Sequence, residues 1–164
     1  MLILRFILSL SAGAIFFFLI IKPKMEYGVK STYTIVEKIF SEAKMLALKY
    51  NEVKVIFQDG KAIIDYGEGS RQYKIFAKIS APDVNVRACS NSPGTPSIKT
   101  TFKFSPKGLK DLSGTIYLKC GNDFIAFSVL SPTGGITKCI LKNNFWEIVE
   151  EWKSFLFEYK IDKI

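Results

Sequence analysis

Apolar residues change their spacing three times along this chain. Residues 2–21, "LILRFILSLSAGAIFFFLII", are apolar at almost every position, and Arg5 is the one charge among them. About 20 residues rising ~1.5 Å each match the ~30 Å hydrocarbon core of a bilayer. Arg5 sits near one end, where a long side chain can reach the interface. The pattern predicts a transmembrane helix over 1–22, closed by Lys22, Pro23 and Lys24. Its apolar positions include Leu2, Leu4, Phe6, Ile7, Leu10, Ile15, Phe17, Phe18, Leu19 and Ile21. A cleaved signal peptide is the competing reading, because "SAGA" at 11–14 offers small residues. Cleavage there would leave "IFFFLII" at the new terminus, so a retained anchor is favoured.

Beyond Pro23 the spacing becomes helical. Val29, Tyr33, Val36, Phe40, Ala43, Ala47 and Tyr50 follow one another by three or four residues, and Ile35, Ile39 and Leu46 widen the stripe. Lys38, Glu42, Lys44 and Lys49 fall on the other side. An amphipathic helix over 23–51 is predicted, continuing the anchor with a kink near Pro23 and ending at Asn51.

At residue 53 the period drops to two. "VKVIF" (53–57), "KAIIDY" (61–66), "QYKIFAKIS" (72–80), "IKTTFKFS" (98–105), "TIYLK" (115–119), "FIAFSVL" (124–130) and "ITKCIL" (136–141) read as strands, with Asp59-Gly60 a hairpin signal. "APDVNVRACSNSPGTPS" reads as a long surface loop with a short strand around 84–88. The prediction is an antiparallel meander over 52–142. The last segment turns helical again. Phe145, Ile148, Val149, Trp152, Phe155, Leu156 and Tyr159 form a stripe, Asn143 or Asn144 is a candidate N-cap, and Glu147 completes a capping-box-like start. This predicts a C-terminal amphipathic helix over 143–164, packed on the sheet or docking a partner. The fold class expected is α+β.

Composition narrows the chemistry. The chain has no histidine, which removes the commonest general base and zinc ligand. Cys89, Cys120 and Cys139 lie far apart without a C-x-x-C pair, so no metal site is expected. In an oxidising compartment they allow one disulfide in three possible pairings; in a reducing one they are small buried apolar residues. Asp59, Asp65, Asp83, Asp111 and Asp123 all stand in or beside turns, where backbone geometry favours Asp. A Ser–Lys pair is not excluded, but nothing points to one. No enzyme activity, cofactor or small-molecule substrate is expected. The net charge of +8 comes from 23 basic and 15 acidic residues, with the lysines scattered singly. Lys103, Lys119 and Lys138 alternate with aromatic or apolar positions on strands. They are candidate nucleic-acid contacts, although a half-buried sheet shows the same alternation.

"SPTGGITK" at 131–138 superficially suggests a phosphate cradle. A P-loop requires G-x-x-x-x-G-K-[ST] leading into a helix, and here a strand follows. Gly134 and Gly135 are instead read as the turn closing a hairpin, one of them at positive φ.

Three stretches share a resemblance. "AKMLALKYNEVKVIF" (43–57) resembles the helix-to-strand passage of minor pseudopilins of the GspH/FimT type, Ala-Arg-x-x-Ala-hydrophobic-x-x-Asn-x-x-Val-x-Val, through Ala43, Lys44, Ala47, Leu48, Asn51, Val53 or Lys54, and Val55. "FKFSPKGLKDLSGTIYL" (102–118) is similar to that family's Phe-x-Pro-x-Gly segment followed by Gly-Thr-hydrophobic-x-Leu. "FSVLSPTGGITK" is similar to its closing strand and Ser/Thr-Gly-Arg-Val-Arg turn.

The resemblance spans about 25–141 and implies a pilin-like fold, with the long N-terminal helix on an antiparallel sheet and the C-terminal helix an addition. It implies assembly with other pilin or pseudopilin subunits and an inner-membrane platform, through the apolar residues from Leu2 to Ile21. The setting implied is a type II secretion pseudopilus or a type IV pilus, with the anchor crossing the inner membrane once and the β domain periplasmic. Two departures stand out. The prepilin-peptidase signal is absent, with Arg5 near the place of the early acidic residue. Charge around the span (Arg5 before; Lys22, Lys24 and Lys30 after) would put the domain in the cytoplasm. A basic leader upstream of Met1 would reverse that. Second, Gly135-Ile136-Thr137 stands where the DNA-uptake branch carries Arg-x-Arg, which disfavours DNA binding. The alternatives are a DNA-binding pilin and a tethered domain docking a partner through its C-terminal helix.

Overall fold

The stripe from Val29 to Tyr50 folds as predicted. Helix α1 covers 28–50 in the computed structural model, which describes residues 28–151. Val36, Ile39, Phe40, Ala43 and Ala47 are fully buried, whereas Met45 and Leu48 face solvent. Asn51 stops the helix: its φ is 63° and its N–H donates to the Ala47 carbonyl at 3.0 Å. A left-handed residue just past the last turn is a common helix stop, and Asn tolerates that conformation better than most side chains. The expected transmembrane helix, with Leu2 to Ile21 and the Pro23 kink, lies outside the described residues. Among the described residues no helix is long and apolar enough to cross a membrane.

Ten strands follow: β1 Val53–Gln58, β2 Lys61–Asp65, β3 Ser70–Lys74, β4 Lys78–Ile79, β5 Thr101–Ser105, β6 Gly108–Leu109, β7 Gly114–Cys120, β8 Asp123–Leu130, β9 Gly135–Lys142 and β10 Phe145–Glu151. They form two antiparallel sheets rather than one meander. Sheet I has the order β3-β2-β1-β5-β6, and sheet II the order β10-β9-β8-β7-β4. The run 72–80, expected as one strand, is where the chain changes sheets. Between β3 and β4, Ile75 and Ala77 remain buried, but their backbones bond to Gly60. The strand expected around 84–88 shrinks to a single bridge between Val86 and Pro93.

The C-terminal helix expected from residue 143 is overturned as far as the structure describes it. Asn143 and Asn144 have φ of 49° and 64°, and Lys142 pairs with Phe145 across them. Two consecutive residues at positive φ make a two-residue type I′ hairpin, so Asn here turns a strand back instead of capping a helix. β10 results, with Trp146 buried and a register shift between Ile148 and Glu150. Residues 152–164 lie outside the described residues.

α1 lies across the inner faces of both sheets. Its first half covers sheet II, where Tyr33 meets Phe127 edge-on at 5.4 Å. Its second half covers sheet I, where the Phe40 ring stands 5.5, 5.5 and 5.9 Å from those of Phe57, Phe102 and Phe104. Burying each such side chain contributes about 1.5–3 kcal/mol. The outer faces differ. The segment 81–97 covers part of sheet II, enclosing Tyr117, Ala126, Cys139 and Trp146. No described segment covers the outer face of sheet I.

Candidate functional site at the helix seam

Polar groups of α1 are used at three points. Near its start, the Tyr33 hydroxyl donates to the Cys139 carbonyl at 3.0 Å. Burial pushes the Tyr33 phenol well above its ordinary pKa, so it remains a donor at any physiological pH. One turn on, Glu37 accepts from the Lys138 ammonium of β9. Lys138 is only 5% exposed, and its Nζ lies 5.9 Å from the centre of the Tyr33 ring. Further along, Glu42 accepts from both the Tyr73 hydroxyl and the Arg71 guanidinium of edge strand β3. Burial alone would raise the Glu42 carboxyl, but hydrogen bonds from Tyr73 and Arg71, with the charge of Arg71, hold it below the usual range. Sheet II is thus bonded to the first half of the helix and sheet I to the second.

The predicted turn sits at the joint of these parts. Gly134 has φ of 65°, and its N–H donates to the Leu130 carbonyl at 2.7 Å. A Cβ there would stand 3.4 Å from both Lys44 Cε of α1 and Phe104 of β5. Leu109 of β6 donates its N–H to the Pro132 carbonyl at 2.8 Å, which ties the turn to the edge of sheet I. Burial lowers the pKa of Lys44, whose stem passes over Gly134. Gly135 begins β9 and is buried. Gly134 is therefore the residue at positive φ, and the turn is a structural hinge point between helix and sheets.

Of the three cysteine pairings, the structure makes Cys89–Cys139, with Cα atoms 5.5 Å apart. Cys120 is buried and unbridged beside the Thr32 hydroxyl, and burial raises its pKa. The bridge pins segment 81–97 to β9 of sheet II. Asn91 adds a second pin: its amide donates to the Trp146 carbonyl and accepts from the Trp146 N–H, both at 2.8 Å. It satisfies the outward-facing backbone of edge strand β10 as a neighbouring strand would. No spacing in the sequence marks Asn91, Glu37 or Glu42 for these roles.

The three candidate nucleic-acid lysines are not brought together. Lys138 is buried under α1. Lys119 is exposed on β7, opposite Lys78, with its Nζ 5.3 Å from the Phe124 ring centre. Lys103 stands on the outer face of sheet I directly across from Lys54, and on the same face Lys61 is directly across from Lys74. Asp65, opposite Lys54, is the one carboxylate at these paired positions. Lys54, Lys61, Lys74 and Lys103 make no ion pair among the described residues. Nor, among the described residues, do three Cys, Asp or Glu side chains gather where they could hold a metal. No family model, curated protein or solved structure matches the chain.

Proposed function

We propose that the chain is a pilin-like structural subunit, of the minor pseudopilin kind, that assembles through its apolar N-terminal segment into a secretion pseudopilus or a type IV pilus. The carrying observation is the seating of α1. This helix follows the apolar segment within a few residues and is fastened along its length to both sheets, through Tyr33, Glu37 and Glu42. A pull on the segment is therefore delivered to the whole domain, as an assembling subunit requires. The Cys89–Cys139 bridge supports an extracytoplasmic domain, since such bonds persist in oxidising compartments. Membrane and filament core are both apolar surroundings, so movement between them costs little.

The test is genetic and biochemical. Deleting the gene should impair secretion or piliation, and the tagged full-length chain should co-purify with pilin-like subunits. If neither happens, the proposal is wrong. The lysines of sheet I favour a second reading, a DNA-binding pilin. That reading predicts DNA affinity that falls steeply with salt and weakens on Lys54→Gln or Lys103→Gln; salt-independent or absent binding excludes it.

A further inference from the structure

Among the described residues, segment 81–97 covers only part of the outer face of sheet II, and beside it lies a hollow of about 470 Å³. Clefts that hold small ligands run about 300–1,000 Å³. Its floor is a row of hydroxyls across three strands: Thr115 of β7 is directly opposite Ser128 of β8, which is directly opposite Thr137 of β9. Thr115 Oγ1 and Ser128 Oγ are 2.8 Å apart, so this pair shares one proton between two oxygens and keeps the other for a guest. The Thr137 hydroxyl bonds to no described side chain. Leu130 and Ile148, each about half exposed, give the wall an apolar strip.

The cation at the rim is Arg87. A second hollow of about 430 Å³ shares Arg87, Ser113, Gly114 and Thr115 with the first, so Arg87 overlooks both. Lys99 lines the second hollow too, but its ammonium already donates to the Leu112 carbonyl and lies 3.8 Å from Asp111. Arg87 has no ion pair or hydrogen bond from its side chain among the described residues. Its position is fixed by its own loop, because segment 81–97 is pinned at Cys89 and Asn91.

We infer that this hollow binds an acidic saccharide: a polyhydroxylated ring bearing a carboxylate or phosphate, with the oxyanion on Arg87 and the ring over the hydroxyl row. Sugar hydroxyls both donate and accept, as do Ser and Thr. A planar guanidinium matches a two-oxygen anion. The C–H face of the ring has an apolar counterpart in Leu130 and Ile148. The lysines of sheet I take no part, and the inference is independent of filament assembly.

The experiment is calorimetric titration of the full-length chain in a detergent without a sugar headgroup. Glucuronate, glucose 6-phosphate and glucose serve as probes. Saturable binding of either acid is expected, and whichever binds identifies the oxyanion. Glucose and the Arg87→Gln chain should each bind about tenfold or more weakly, the size of one lost charge-assisted contact. Thr137→Val should also weaken binding, and unchanged melting temperatures would show that both variants fold. Absence of binding by both acids overturns the inference. So does glucose binding as tightly as the acids, or loss of binding on Lys103→Gln equal to that on Arg87→Gln, which would indicate surface charge alone.

Discussion

The two sheets share one helix but treat their outer faces in opposite ways. Sheet II is covered on its inner side by the first half of α1, where Tyr33 meets Phe127, and carries a second small core outside, built on Tyr117, Ala126, Cys139 and Trp146. Sheet I has the aromatic half of the main core inside and lysines outside. The outer covering of sheet II is a segment with little regular structure of its own. Such a segment loses conformational entropy on ordering and needs compensation. The disulfide and the Asn91 clamp supply it. Sheet I carries no such segment among the described residues; its outer face sets the half-buried Ile56–Ile63 pair among polar side chains and brings like charges together. Both sheets therefore lean on α1, but only the outer covering of sheet II depends on a covalent staple.

Breaking the staple should have the largest effect. In the Cys89→Ser/Cys139→Ser chain, removing a bridge with a sequence separation of 50 is expected to cost about 2–4 kcal/mol. Hydrogen exchange should accelerate first in 81–97 and around Trp146, while β1 and β2 stay protected. Equal acceleration in both sheets would show that they do not differ in the way argued.

Much of this contrast was hidden from sequence for a physical reason. Alternation reports which face a side chain takes, and it located β1, β2, β5, β7, β8 and β9 well. It does not report the partner strand. Ile75 and Ala77 keep alternating while the chain leaves sheet I for sheet II, so the break in 72–80 was invisible. The stripe Phe145, Ile148, Val149 suited a helix, yet those side chains are exposed and only their neighbour Trp146 is buried. The usable signal was Asn143-Asn144 between two apolar runs, a pair suited to positive φ. The α1 stripe was legible throughout because a long period accumulates evidence that a two-residue alternation cannot. Lys138 looked like any other strand lysine; only the placement of α1 reveals Glu37 over it. The cysteine pairing was undetermined, since three thiols allow three bridges.

A smaller effect should come from the fastening of sheet I. Glu42 holds edge strand β3 to the helix, and its bonds to Tyr73 and Arg71 keep its folded pKa below the ordinary carboxylate value. A depressed folded pKa means the unfolded chain takes up the proton first. The contribution is therefore present above about pH 4.5 and is lost as pH falls through the folded value. Glu42→Gln is expected to cost about 1–2 kcal/mol at neutral pH, most of it from the Tyr73 bond because Arg71 is solvent-screened. Denaturant titrations from pH 7 to pH 3 should show the wild type converging on the variant. A constant gap across that range would remove Glu42 as the titrating fastener.

The smallest effect has the opposite sign. Lys54 and Lys103 face each other directly, as do Lys61 and Lys74. Like charges at opposed positions destabilise a sheet, typically by a few tenths of a kcal/mol and by up to about 1 kcal/mol. Lys103→Gln should therefore stabilise the protein slightly at low salt, and the gain should shrink as salt screens the pair. The matching substitution on sheet II, Lys138→Gln, should destabilise at every salt concentration, because it leaves Glu37 without its buried partner. Two lysines on alternating strands of one domain would then respond with opposite sign. Destabilisation by Lys103→Gln would mean that the outer face of sheet I is held by its charges, as the staple holds the outer face of sheet II.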